Sequence, residues 1–448
     1  MKMKIRISVP SLFKLAAIIF LLNACSKNDL LEPTLKEPTE QKSQFFVDQK
    51  EAVRLLSGGE MAQMQSNART SDSEKLIVSG VRRFLNNDSK VMFYIVEYEN
   101  DKGFTLLSAD KRMKPVLAFA EKGNFDEKTD NPGIQLWFDL IRENFEGVQT
   151  QKEAHIDIVN LWQQLGRTPN GGRTSEQPVN TPEASCEWFV THPIPANSTI
   201  AHLTHTLSQW QQGTGYNAFC PSGVNTLNCS GQYNCGKAPT GCGPVAVSQV
   251  LRYHHKQITT NGHTYSASMF NAMPVNAPKN CIPVNPNHID LAHLLRDTGK
   301  DLDAVYNTLV PGLGIPLSGS GCQTWNIPGH IDNFFSNRGY TSFDKEFFSN
   351  IGMISTELRA LRPVIVFGSN CAACAANQHI WVMDGIRDLY AIFNDQNGFC
   401  YENHSVYYQM NWGWGDVSEN HTWFAYTGIV GGGTLYNSQN MRAYIVQP

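Results

Sequence analysis

The sequence predicts an α+β protein of two folded regions with an exposed joint between them, and three observations carry that reading. The first region mixes strand-like runs with helical patterns such as Ile134, Trp137, Phe138, Ile141 and Phe145. The joint, Gly166 to Pro182, is rich in breakers and has no hydrophobic face. The second region holds all but one of the 11 cysteines and sets a helix that opens on Cys242 ahead of several strand-like runs. At 448 residues the chain exceeds what one compact core usually holds, which agrees with more than one unit.

The first element is a leader. Met1 to Arg6 is basic, and Ser11 to Ala24 is mostly apolar and too short to span a bilayer. It ends Leu22-Asn23-Ala24-Cys25, which resembles a bacterial lipoprotein signal cleaved before the cysteine. On that reading residues 1–24 are removed, lipid on Cys25 anchors the chain at the outer or cell membrane, and residues 25–44 are a polar tether. An ordinary signal peptide with a chance cysteine is the alternative, and Lys14 does interrupt the apolar run. Both place the mature protein outside the cytoplasm, and the abundant cysteines suit that compartment. Setting aside Cys25 and Cys242 leaves nine, enough for up to four disulfides and one further thiol, with connectivity open.

Phe45 to Gln63 reads as helix, with Val47, Ala52 and Leu55 among its apolar positions. Met92 to Tyr98 and Phe104 to Ser108 read as strands of a hairpin turning at Asn100-Asp-Lys-Gly103. With the helix face at Ile134 to Phe145 these can bury a small α+β core, and the region carries no cysteine and no convincing catalytic group. The joint that follows is the kind of segment where proteolytic nicking concentrates. A net charge of −4, with no basic block in the mature region, excludes nucleic acid as an expected partner.

Three segments carry chemistry. In Gly241-Cys242-Gly-Pro244 and the residues after it, Ala246, Val247, Val250 and Leu251 form a helical stripe. Cys242 then starts the helix, where free N–H groups and the dipole favour a thiolate and lower the thiol pKa. A buried structural cysteine is the bland alternative. A thiolate nucleophile needs a base brought near in space. Of 13 histidines, His379 opens a strand-like run, His379 to Gly385, that follows another at Pro363 to Gly368. Tyr407 to Gly415 is a strand ending Asn411-Trp412-Gly-Trp-Gly, able to offer an amide that orients an imidazole and an indole that shields it; a tight turn with packing tryptophans is the alternative.

Together, Gly-Cys with its helix, His-x-x-x-x-Asp-Gly and Asn-Trp-Gly-Trp-Gly resemble the streptopain family of secreted bacterial cysteine peptidases. The resemblance implies a papain-like fold of a helical part and an antiparallel sheet part, preceded by a small α+β inhibitory prodomain. It implies domains at 45–166 (prodomain), 167–185 (linker with the processing site) and 186–448 (peptidase). Cys242 is then the nucleophile and His379 its base; Asn411 or Trp412 orients or shields the ring. Trp210-Gln-Gln212-Gly-Thr-Gly-Tyr216-Asn217 is similar to the family's oxyanion-hole segment and maps that role to Gln212. Gly319, Ser320 and Gly321, and the downstream Gly431 and Gly432, are similar to its cleft loops. Expected partners are protein or peptide substrates and the chain's own prodomain; no cofactor and no metal are implied.

The chain departs from the family in places. Gly-Pro follows Cys242 where Val-Ala is frequent, Asp416 replaces a glycine, and Cys371-Ala-Ala-Cys374 and Cys220 to Cys235 are added cysteine clusters. Two rival classes follow from the residues: a thiol-redox or metal protein built on Cys371 and Cys374, and a surface binding protein on a decayed peptidase scaffold. The first lacks a second paired cluster with zinc spacing, and the second has to explain intact Cys242, His379 and Gln212.

Overall fold

The computed structural model describes residues 43–57, 76–165, 199–203, 208–222, 235–306, 324–370, 378–394, 400–415 and 418–448. The leader with Cys25, the joint at 167–185, Gly319, Ser320, Gly321, Asp416 and the Cys371 and Cys374 pair lie outside the described residues.

Helix α1 (Gln49–Leu56) begins where the Asp48 carboxylate accepts the Glu51 amide at 2.8 Å. It starts later than predicted because Val47 is committed to Ala109 O at 3.0 Å as non-helical chain. Strands β1 (Val78–Leu85), β2 (Val91–Tyr98), β3 (Phe104–Ser108) and β4 (Val116–Ala120) form an antiparallel meander. The predicted hairpin is β2–β3. At its turn a Cβ on Gly103 (φ +78°) would lie 1.9 Å from the Ala120 carbonyl oxygen, so glycine alone closes it. Helix α2 (Pro132–Val148) is capped by Asn131, whose side chain accepts the Gly133 amide at 3.0 Å, and has proline in its first turn. All five predicted face residues are buried. Helix α3 (Ile156–Leu165) follows.

The C-terminal region runs β5 (Thr199–Leu203), α4 (Cys242–His254), the hairpin β6 (Ile258–Thr260) and β7 (His263–Tyr265), α5 (Ala267–Ala272) and α6 (Pro286–Asp301). The pair β8 (Val305–Tyr306) and β9 (Thr324–Trp325), α7 (His330–Ser336), β10 (Thr341–Glu346) and α8 (Ile351–Arg359) come next. Strands β11 (Val364–Ser369), β12 (Gln378–Asn394), β13 (Cys400–Asn411), β14 (Trp423–Phe424) and β15 (Asn440–Gln447) complete the chain. The helical part and the antiparallel sheet part expected of the peptidase region are both present.

One sheet runs through both regions in the order β1-β2-β3-β4-β14-β13-β12-β11-β15-β10, with β5 also paired to β12. The junction is short: Phe119 and Ala118 of β4 pair with Trp423 and Phe424 of β14. The C-terminal strands separate two cores by their two-residue period. Ile365, Phe367, Ile380, Val382, Tyr444 and Val446 face the cluster built on α4 and α6. Val364, Val366, Trp381, Met383, Ala443 and Ile445 join the cluster that contains β2, β3, β4 and α2. The core of the N-terminal region is therefore continuous with that of the C-terminal strands. The region's strands β2 to β4 are buried on both faces, in one cluster with residues of β11, β12 and β15.

Candidate active site

Cys242 is the first residue of α4, preceded by Gly241 at φ +94°. A Cβ on Gly241 would lie 2.8 Å from Asn326 Oδ1, and one on Gly243 within 3.0 Å of the same side chain, so Cys242 has glycine on both flanks for lack of room. The stripe Ala246, Val247, Val250 and Leu251 is buried in the helical core and anchors the helix behind the thiol. Two residues upstream, the Thr240 amide donates to Gln212 O at 2.9 Å, which ties the main chain of the Gln212 segment to that of Cys242.

Burial holds the Cys242 thiol above its ordinary pKa, although the amides of Ile380, Gly243 and Cys242 itself donate toward the sulfur and oppose the rise. Cys242 itself is partly exposed by its surface, so the burial that raises the thiol comes from the atoms packed around it. Desolvation and the N–H groups of the helix start act on the thiol in opposite directions.

His379 is the second residue of β12 and has the parity of Trp381 and Met383, so its side chain leaves the sheet on the side of the N-terminal region. The ring stacks on Trp381 (5.9 Å between centroids, 17°), and Nε2 lies 2.8 Å from Trp412 O. Helix α2 presses on this pair: a Cβ on Gly133 would sit 2.3 Å from the Trp412 ring and 3.1 Å from His379 Cδ2. His379 is 2% exposed, and burial lowers its pKa to about 4 against the pull of the Trp412 carbonyl. Both shifts favour the uncharged forms of the thiol and the imidazole.

Of the two candidates for orienting the ring, Trp412 meets it and Asn411 does not. Asn411 pairs with Val382, on the opposite face of the sheet from His379. Its amide donates to Ser208 O at 2.8 Å, and its Oδ1 accepts from Gln249 Nε2 at 3.2 Å and Gly413 N at 3.3 Å. It ties β13 to α4 and leaves His379 to the neighbouring carbonyl. Gly431 and Gly432 touch the N-terminal region instead: Cβ atoms there would lie 2.5 and 2.9 Å from His155. Sequence reasoning missed Gly133, whose value is its missing side chain, and Trp381, which the period-2 pattern from His379 could have flagged.

Among the other cysteines, Cys235 and Cys281 form a disulfide, and Cys220 is a buried free thiol pushed up to about 12 by burial. Among the described residues, no group of three or more His, Cys, Asp or Glu is placed to hold a metal ion.

The contact between the two regions is extensive. Arg387 of β12, 1% exposed, pairs with Glu121 at 2.6 Å and lies over the Trp423 ring at 4.6 Å. Trp137 Nε1 of α2 donates to Ala425 O at 2.9 Å, and Ser438 donates through its amide to Glu143 at 2.7 Å.

Comparison with known proteins agrees with this layout. Residues 210–422 match the peptidase C10 family, and residues 44–145 match the Spi protease inhibitor family. Streptopain of Streptococcus pyogenes is 22% identical over 383 residues, covering 80% of this chain and 79% of its own, and the serotype M1 streptopain gives the same values. Among solved structures, a prointerpain A fragment of Prevotella intermedia matches at 16% identity and TM-score 0.47, covering 81% of this chain and 97% of that one. Active wild-type interpain A cysteine protease from the same organism matches at 14% identity and TM-score 0.32, over 55% of this chain and 94% of that one. The chain is a cysteine-type peptidase with a peptidase C10 family domain at 210–422, behind a prodomain-like region of the Spi protease inhibitor kind at 44–145.

Proposed function

We propose that the chain is the zymogen of an extracytoplasmic, lipid-anchored cysteine endopeptidase, with Cys242 as nucleophile, His379 as base and Gln212 as oxyanion donor. One observation carries the pairing: β12, whose second residue is His379, packs against the helix that opens on Cys242, and Ile380 beside His379 shares a core cluster with Cys242. The region 45–166 is the inhibitory prodomain, the segment 167–185 holds the processing site, and 186–448 is the peptidase. Lipid on Cys25 anchors the chain at a membrane outside the cytoplasm, and proteins or peptides are the substrates.

The state described is latent. With the start of α2 on Trp412 and His379, burial lowers the imidazole pKa and raises that of the thiol, so both shifts oppose proton transfer between them. Scission in the linker lets the prodomain leave, water reaches the ring, and the proton can pass from Cys242 Sγ to the imidazole. The thiolate then attacks the substrate carbonyl carbon, and the oxyanion is met by Gln212 and the Cys242 amide. His379 protonates the leaving amine, then activates the water that hydrolyses the thioester. Trp412 holds the ring through its carbonyl and covers it with its indole.

The test is hydrolysis of an unfolded protein by the processed enzyme. Cys242→Ala abolishes it, His379→Ala nearly does so, and Gln212→Ala lowers kcat by roughly 10²–10³, the usual loss for one oxyanion donor. Full activity in Cys242→Ala refutes the assignment.

A further inference from the structure

The segment 209–217, which bears Gln212, is held between two neighbouring loops. On one side, Thr240 N donates to Gln212 O at 2.9 Å, and Asn217 Nδ2 donates to Ala238 O at 3.2 Å. On the other, Ala277 N donates to Tyr216 OH at 2.9 Å, and Trp210 Nε1 donates to Pro274 O at 2.9 Å. Contact there is main chain on main chain: Gly215 has φ +95°, and a Cβ on it would lie 2.4 Å from Pro278 O. The two flanking loops are themselves joined covalently, Cys235 of the nucleophile loop to Cys281 of the 274–281 loop. Cys235 Sγ also lies 3.7 Å from Thr214 Oγ1, inside the clamped segment.

We infer that the Cys235–Cys281 disulfide is a positioning element for Gln212: it closes a clamp around the 209–217 segment, so that opening it lowers turnover while leaving the Cys242 thiol reactive. The inference rests on Cys242 as nucleophile and Gln212 as oxyanion donor. Of the clamp's two walls, the nucleophile loop is also fastened by α4 and its buried stripe. The 274–281 loop exposes Val275, 50% accessible, and is followed by Ile282 at 78%, so little of the core covers this wall. The disulfide adds a covalent bond to the hydrogen bonds that hold this wall, among them Gln209 N to Val275 O at 3.2 Å and Asn276 Nδ2 to Gln209 Oε1 at 2.8 Å. The redox step is ordinary exchange: a dithiol reductant transfers two electrons and two protons to the sulfur pair, giving the Cys235 and Cys281 thiols and the oxidised, cyclic reductant. The chain then responds to reductant in two opposed ways, since the same reagent keeps Cys242 as a thiol and unfastens the segment that serves it.

The test uses enzyme processed from the full chain, with the Cys235→Ser/Cys281→Ser double variant made in the parent and in Gln212→Ala. Steady-state constants are measured on a small peptide substrate, beside the rate of Cys242 alkylation by iodoacetamide. In the parent background the double variant loses about tenfold to a hundredfold in kcat, the scale of a small misplacement of a catalytic group. Alkylation keeps its rate, and in Gln212→Ala the same double variant changes kcat less than about twofold because the group it positions is gone. Equal losses in both backgrounds, or no loss in the parent, overturn the inference. If the double variant does not fold, the parent enzyme is reduced and the Cys235–Cys281 bond followed by peptide mass mapping; undiminished kcat with the bond open likewise overturns it. Hydrolysis that survives Cys242→Ala would remove the reading on which the inference stands, a result separate from either of these.

Discussion

Gly133→Ala in the precursor isolates the contact between α2 and the histidine. The added Cβ would lie 2.3 Å from two carbons of the Trp412 ring, against about 3.5–4.0 Å for carbons in contact. Neither partner can easily yield. Trp412 is fully buried against Trp381 and Phe424, its amide donates to Asn420 Oδ1 at 3.1 Å, and α2 is fastened by Asn131 and Trp137. Overpacking of this kind costs about 1–3 kcal/mol. Alanine favours a helix over glycine by up to about 1 kcal/mol, but that gain is present whether or not α2 is docked and cancels from the docking equilibrium. Docking is then weaker by about 1–3 kcal/mol, which raises the undocked fraction by about 5- to 150-fold. The assay is the initial rate of small-peptide hydrolysis by uncut precursor, with Cys242 alkylation by iodoacetamide as a second measure. Both rise by the same factor in Gly133→Ala. Latency equal to that of the parent on both measures would refute the argument that this contact holds the site shut.

The remaining predictions concern pH, the interface and the leader. His379 is held at about 4 when docked against 6.5 when solvated, so docking is at full strength above about pH 6.5 and weakens as pH falls toward 4. The depression amounts to about 3 kcal/mol at most, and precursor latency measured by alkylation between pH 7.5 and 4.5 should decline; tighter latency in acid contradicts the sign. Glu121→Ala removes the carboxylate that meets buried Arg387, so the precursor processes faster while the processed enzyme keeps its kcat; an unchanged processing rate means the ion pair does not help hold the prodomain. Cys25→Ser should abolish detergent partitioning, and mass spectrometry finding membrane-associated protein with an unmodified N-terminus beyond Cys25 would dismiss lipidation.

Local pattern alone determined much of this protein. The face of α2, the β2–β3 hairpin and the helix behind Cys242 were legible because periods of 3.6 and 2 are written in neighbouring residues. The order of Cys242, His379 and Asn411-Trp412, and the Gln212 segment, were legible through their resemblance to the streptopain family, Cys242 and His379 also because they sit at the starts of regular elements. Tertiary structure decided the rest. The junction of β4 with β14 involves only two residues on β14, too few to show a period, and among the described strands it joins the two regions into one sheet. That Trp412 and not Asn411 meets His379 follows from the register of β13 on β12, because one residue of register exchanges the two faces of the sheet. Gly133 carries no side chain for a pattern to detect. The raised thiol pKa and lowered imidazole pKa depend on hydration removed by elements far apart in the chain, and no segment read by itself holds that sum.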